Sequence, residues 1–285
     1  MTNFEVNLML VTMKDLLIRA EKENFAVGAF SVGNMEMVMG VIRAAEKLDT
    51  PVILQIAEKR LGNSPMELMA PMMVSAARNA RVDVAVHLDH GLTLDCIKSA
   101  LAYGFTSVML DCSLKPLGEN IEATCEVVRL AREYGATVEA ELGVVGGNEG
   151  DTEDHIITCT DPLVAKRFCD ETGIDALAVA IGNAHGNYPV LPELRFDVLE
   201  EIHNSTDVPL VLHGGTGITD EMFRKAISLG IRKINIATAS FDALTLSAKQ
   251  YLSDGDNYFA LSEKMAEGVF NNVAKHINIF NNKEN

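Results

Sequence analysis

The chain has 285 residues, 48% of them hydrophobic and 22% charged, and carries a net charge of −16 at pH 7. That balance suits one folded globular body and argues against a nucleic-acid partner or an anionic membrane surface, because a polyanion is drawn by positive charge. Five cysteines (Cys96, Cys112, Cys125, Cys159, Cys169) without a CxxC pair, and a start MTNFEVNLMLVTMKDLL lacking the basic end and long apolar run of a leader or anchor, lead us to expect a soluble, cytoplasmic protein with no disulfide framework or thiolate zinc site.

Eight short apolar, mostly β-branched runs are predicted strands: AVGAFSV (26–32), VILQIA (52–57), VAVHLD (84–89), SVMLD (107–111), TVEAEL (137–142), ALAVAI (176–181), PLVL (209–212) and KINIA (233–237). Amphipathic segments with helical spacing lie between them, the alternation that builds a parallel sheet covered by helices. Eight such units predict closure into an α/β barrel, one domain over residues 1–285. An open dinucleotide-binding sheet is the rival, but no GxGxxG turn follows the first strand. Met35, Met37, Met39, Met66, Met69, Met72 and Met73 read first as core filling and second as a subunit interface. Thr160 or Asp161 before Pro162, and Thr219 or Asp220 before Glu221, are predicted helix caps. The connection from Leu142 to Thr160, with Gly143, Gly146, Gly147 and Gly150, is a candidate lid that carries Glu149 and His155.

His90, His185 and His213 follow the third, sixth and seventh runs. Strand C-termini face the active side of a barrel, where three neutral imidazoles can hold one metal ion and leave a position open. Singly, each histidine reads as structural; together at three strand ends they point to a metal site. His203 and His276 fall on predicted helices and His155 in the long loop, all with packing or solvated roles. His87, three before His90, is expected on the opposite face as support or core. Asp89 reads either as a general base beside the metal or as a partner that orients a histidine. Glu139 and Glu141 share one face of the fifth run and, if inward, need a cation or donors. Asp111 and Glu141 are candidates to support the ligands or hold a second metal. Gly214, Gly215, Thr216 and Gly217, with Asn235, Ala237 and Thr238 at the end of the last run, fall where barrels bind phosphate through backbone N–H groups.

Seven motifs in order, HLDHG, SVMLDCS, VEAELGVVGGNEG, TDPLVAKRF, AVAIGNAHGNYP, LHGGTGI and KINIAT, resemble the class II, zinc-dependent ketose-bisphosphate aldolases, most of all the tagatose- and fructose-bisphosphate types. The resemblance runs from about Met9 to the C-terminal helix. It implies a TIM (β/α)8 barrel, a homodimer or homotetramer, and reversible cleavage of a phosphorylated ketose to dihydroxyacetone phosphate and an aldehyde. Carried over by position, His90, His185 and His213 are the zinc ligands. Asp89 takes the C4 hydroxyl proton and Glu149 exchanges a proton at C3. Gly186, Gly214, Thr216, Asn235, Ala237 and Thr238 hold the dihydroxyacetone phosphate end, with Na+ or K+ near the first phosphate. Scission leaves an enediolate, whose charge zinc stabilises, so no Schiff-base lysine is needed.

The departures lie at the other end of the substrate. Ser31 stands where many members have Asn in AFN, Ala57 where they have Ser, and Cys112 and Leu114 where they have the Gly and His of DGSH. Lys59 or Arg60 could supply the missing donors for a second phosphate. The alternatives are a ketose 1-phosphate with an uncharged or carboxylated distal end, a zinc hydrolase barrel, and a non-catalytic accessory subunit. Strand one lacks the HxH with which amidohydrolase-type barrels usually open.

Overall fold

In the computed structural model, residues 9–145, 158–186 and 192–281 are described. Eight strands, β1 Val27–Ser31, β2 Val52–Ala57, β3 Val84–Gly91, β4 Ser107–Leu110, β5 Thr137–Leu142, β6 Ala176–Val179, β7 Leu210–Leu212 and β8 Ile231–Ile236, form a closed barrel in chain order. Neighbours pair in parallel, and Val27–Phe30 closes the ring against Lys233–Ile236. Helix α1 (Met13–Glu23) precedes the barrel. Helices α2 (Met35–Lys47), α3 (Met66–Asn79), α4 (Leu94–Ala102), α5 (Leu117–Glu133), α6 (Pro162–Thr172), α7 (Phe196–Ser205) and α8 (Asp220–Ser228) alternate with the strands, and α9 (Thr238–Leu252) and α10 (Tyr258–Phe280) follow β8. The predicted TIM barrel is therefore the observed fold.

The caps are local and sequence-encoded. Asp161 accepts from Leu163 N and Val164 N with Pro162 at the first helical position, and Gly173 ends α6 at φ 66°. Thr219, rather than Asp220, caps α8 by accepting from Met222 N. Strand β8 starts two residues before the predicted run. Arg232 conceals that start: its side chain leaves toward Glu21 at 2.7 Å and the Ile227 carbonyl at 2.7 Å.

Inward positions divide by height. At the N-terminal end Val27, Ala29, Ile53, Ala85, Ala176, Ala178 and Val211 pack on Met13, Leu16, Leu17 and Ala20, so α1 plugs the barrel floor. Above them the inward positions turn polar: Ser31, Gln55, His87, Asp89, Glu139, Glu141, His213, Lys233 and Asn235 are all buried. The main apolar sleeve lies between strands and helices and takes in Met37, Met66, Met69 and Met73, as core filling requires, whereas Met39 and Met72 are half-buried and Met35 is exposed. A polar layer over an apolar floor stays soluble to the fold only if its members satisfy one another.

Candidate active site

Alternation along β3 turns His87 and Asp89 inward, which would send His90 outward. The register with β4 instead slips between Leu88 and Gly91, and His90 adopts φ 39°. That left-handed backbone, which costs a non-glycine residue about 1–3 kcal/mol, swings the imidazole back over the mouth beside Asp89. The expectation that His87 faces away from His90 is corrected: both serve the interior at different heights. His87 Nδ1 meets Ser107 Oγ at 2.7 Å, and burial with the nearby Lys233 charge pushes its pKa down to about 3, so it is neutral support.

The three histidines singled out in the sequence converge. Their candidate ligand atoms lie within 4.8 Å of one another, and His90 Nε2 is 3.2 Å from His185 Nε2. Two nitrogens bound at about 2.0–2.1 Å to one tetrahedral zinc would stand about 3.3–3.4 Å apart, so the spacing fits a shared ion. The outer nitrogens of His90 and His213 are engaged as a metal site needs. His90 Nδ1 meets Asp111 Oδ2 at 2.8 Å, and Asp111 Oδ1 accepts from Ser113 N at 3.1 Å and Ser113 Oγ at 2.7 Å. His213 Nε2 meets Glu139 Oε1 at 2.8 Å, while its Nδ1 lies 3.1 Å from Glu141 Oε2. Glu141 also groups with His90 and Asp111 as a second possible donor set. Asn183 joins the loops: it accepts from Ile181 N at 2.8 Å and donates to the His213 carbonyl at 3.0 Å, tying the segment that carries His185 to β7.

Burial lowers the affinity of His90 and His213 for protons, but the acids around them outweigh it. Asp89, Asp111 and Glu141 raise His90 to about 10, and Glu139 and Glu141 raise His213 to about 9. Glu141 is pushed up by burial and by Asp111; Asp111, against its burial, is held well below the usual carboxylate range by His90 and Ser113. Asp89, Asp111, Glu139 and Glu141 thus surround the histidines, with Lys233 as the fully buried lysine among them. That field favours a dication at the point where the imidazoles meet.

Asp89 is fully buried, its Oδ1 accepting from Asn235 Nδ2 at 3.0 Å and its Oδ2 from Gln55 Nε2 at 3.1 Å. Desolvation opposes its ionisation, and His90, His213 and Lys233 overcome it, keeping its pKa below the ordinary value. Both oxygens serve as acceptors, which fits a poised base.

The two glycine-containing loops also meet. Gly214 has φ 64°, and a Cβ there would run into the Ala184 carbonyl; one on Gly215 would lie 2.8 Å from the Asn235 carbonyl. Gly215 N donates to that carbonyl at 3.1 Å, and Thr216 Oγ accepts from Ala239 N at 3.1 Å, in the first turn of the helix that Thr238 opens. Ala237 precedes that helix with no side-chain cap. Gly186 follows His185 at φ 88°, and no heavy atom of the described residues beyond its chain neighbours lies within 4 Å of where a Cβ would sit.

At the opposite rim Ser31 Oγ accepts from Gln55 Nε2 at 3.2 Å, and Ala57 ends β2 buried and without a donor side chain. The turn Glu58–Arg60 follows; Lys59 is exposed, and the Arg60 guanidinium lies 5.7 Å over the Phe241 ring. Glu58 accepts from Leu92 N at 2.7 Å and Thr93 N at 3.0 Å, anchoring that turn to β3. Cys112 and Leu114 fall in the loop after β4. Glu149 and His155 lie outside the described residues. His203 and His276 sit on α7 and α10 as expected, and His276 Nδ1 donates to the Asn272 carbonyl at 2.8 Å.

Gln55, Lys233 and Asn183 were missed in the sequence, as was the Glu139 bond to His213. The signal for the first two was a polar residue at an inward position of an otherwise apolar run.

The chain matches the family model for class-II fructose-bisphosphate aldolase over residues 11–285. It is 41% identical over 261 residues to the fructose-bisphosphate aldolase of Geobacillus stearothermophilus, covering 88% of this chain and 89% of that one. It is likewise 41% identical over 248 residues to a fructose-bisphosphate aldolase of Staphylococcus aureus, covering 86% and 87%. Among solved structures, the YdjI aldolase of Escherichia coli K12 superposes with a TM-score of 0.86 at 37% identity over 95% of this chain and 97% of that one. Because the likeness spans the barrel from its first helix to its last, rather than one motif, the chain belongs to the class II fructose-bisphosphate aldolase family.

Proposed function

We propose that the protein is a zinc-dependent aldolase that reversibly cleaves a phosphorylated ketose, tagatose or fructose 1,6-bisphosphate, to dihydroxyacetone phosphate and an aldehyde. The observation that carries this reading is the convergence of His90 Nε2, His185 Nε2 and the Nδ1 face of His213 beside the buried carboxylate of Asp89. His90, His185 and His213 would hold the zinc, which when bound polarises the ketose carbonyl and stabilises negative charge on the oxygens of the three-carbon half. Asp89 takes the C4 hydroxyl proton; the O–H electrons form the aldehyde carbonyl, and the C3–C4 pair passes to C3. Glu149 returns a proton to C3. Gly186, Gly214, Gly215, Thr216, Asn235, Ala237 and Thr238 hold the first phosphate and its neighbours, through backbone N–H groups and the start of α9. Na+ or K+ beside that phosphate belongs to the same reading, as do a homodimer or homotetramer and a cytoplasmic location. No helix among the described residues is long and apolar enough to cross a membrane.

A ketose 1-phosphate with an uncharged or carboxylated distal end is the second reading. It is favoured by one observation: Ser31 Oγ is engaged by Gln55, and Ala57 offers no donor side chain for a second phosphate. The test of both readings is dihydroxyacetone phosphate release by zinc-loaded protein from tagatose and fructose 1,6-bisphosphate and the matching 1-phosphates, with and without chelator and with Na+, K+ or neither. Chelator-sensitive release from bisphosphates alone supports the first reading, and release from 1-phosphates alone supports the second. Silence across the panel with a full zinc complement would sink both.

A further inference from the structure

Lys233 is a lysine where the sequence pattern asks for an apolar residue. It sits on β8 with 0% exposure, beneath the histidines, and its Nζ lies 2.9 Å from Glu139 Oε2. An ammonium buried without a partner would cost several kcal/mol, so its position is set by the acid it meets. The other oxygen of that acid, Oε1, is 2.8 Å from His213 Nε2. One carboxylate therefore joins a fixed cation on β8 to a candidate metal ligand just after β7. His87, 3.8 Å from Glu139 Oε2, is turned toward Ser107 at 2.7 Å, so Lys233 is the short polar contact of that oxygen among the described residues.

A histidine binds metal through the nitrogen that does not carry the proton, and the partner of the other nitrogen decides which one that is. Glu139 is an acceptor to His213 only while its carboxylate stays in the plane of the ring edge. We propose that Lys233 is a positioning residue for the metal site: it pins Glu139 through Oε2 so that Oε1 accepts the His213 Nε2 proton, leaving Nδ1, 3.1 Å from Glu141 Oε2, as the nitrogen that would take the ion. The inference deepens the zinc reading above and rests on it for the identity of the ligands. It gives Lys233 a task in the site without any bond to substrate.

The experiment compares the full-length wild-type protein with Lys233→Met, Lys233→Arg and the charge-neutral pair K233M/E139Q. Zinc affinity is read by competition with a chromophoric chelator, the His213 tautomer by 15N ring shifts of the zinc-loaded protein, and the fold by thermal unfolding; none needs turnover. Outer partners of metal-bound histidines are worth about 10–100-fold in affinity, and Lys233→Met is expected to lose zinc affinity in that range. It should also lose the Nε2–H tautomer at His213, with both restored toward wild type in Lys233→Arg. Should Lys233→Met not fold, the double variant removes both charges together and is expected to show the same affinity loss. Zinc affinity within twofold of wild type, in either folded variant, would overturn the inference and leave Lys233 a purely structural ion pair. Zinc uptake that depends on Lys233 in a protein silent toward every ketose would uphold the inference and sink the aldolase assignment instead.

Discussion

Replacing Asp89 by alanine tests the chemistry most directly. The substitution strands two buried donors, Gln55 Nε2 at 3.1 Å and Asn235 Nδ2 at 3.0 Å. Each costs about 1–3 kcal/mol if nothing replaces the carboxylate, so the melting temperature should fall. Asp89→Asn is not a neutral control, because both donors need an oxygen and the amide supplies one; it should be destabilised less than alanine and be just as poor a base. Loss of a general base lowers turnover by about 10²–10⁴-fold, equivalent to about 3–5 kcal/mol of barrier. Among the described residues Asp89 bonds Gln55 and Asn235 rather than an imidazole, so zinc content should remain near one equivalent. The assay pairs metal analysis with single-turnover cleavage. A zinc-loaded Asp89→Ala protein cleaving within threefold of wild type would remove Asp89 from the mechanism.

Three further outcomes follow from the same geometry. Asp111→Ala removes the acceptor at 2.8 Å from His90 Nδ1 and should weaken zinc about 10–100-fold in a chelator competition, with little change in KM once zinc is saturating. Gly214→Ala places a methyl group against the Ala184 carbonyl on a φ of 64°, and should destabilise the fold by about 1–3 kcal/mol and raise KM for the phosphorylated ketose; an unchanged KM in thermally stable protein would count against the loop as a phosphate site. In the metal-free protein, His90 and His213 are raised to about 10 and 9 from 6.5. Their contribution to stability is therefore complete below about pH 6.5 and is lost as pH rises through 9–10, whereas zinc requires them neutral. Zinc affinity should accordingly climb with pH across that window, and calorimetry in buffers of different ionisation enthalpy at pH 8 should show proton release on binding. Binding without proton release would refute the charged histidine pair.

Much of this was legible in one dimension. The eight strands were marked by apolar β-branched runs, and the caps at Asp161 and Thr219 by residue type and position, because both depend on backbone geometry within a few residues. The histidines were legible as strand-end residues, since a barrel sends every strand's C-terminus to the same face. What β8 hid was its first two residues, Ile231 and Arg232, because Arg232 reads as a loop residue until its partner Glu21 arrives from a distant segment.

The sequence by itself determined the period of the strands, the order of the barrel and the kinds of donor gathered at its mouth, since these follow from local propensity and from the parity of inward positions. Only the tertiary structure decided the rest. The slip of β3 against β4 turned His90 inward beside Asp89, closure brought Gln55 and Asn235 to either side of that carboxylate, and β5 set Glu139 between His213 and Lys233. Those contacts join residues from 34 to 146 positions apart at Asp89 alone. Such pairings are fixed by how the strands register around a closed ring, which no single stretch of chain encodes.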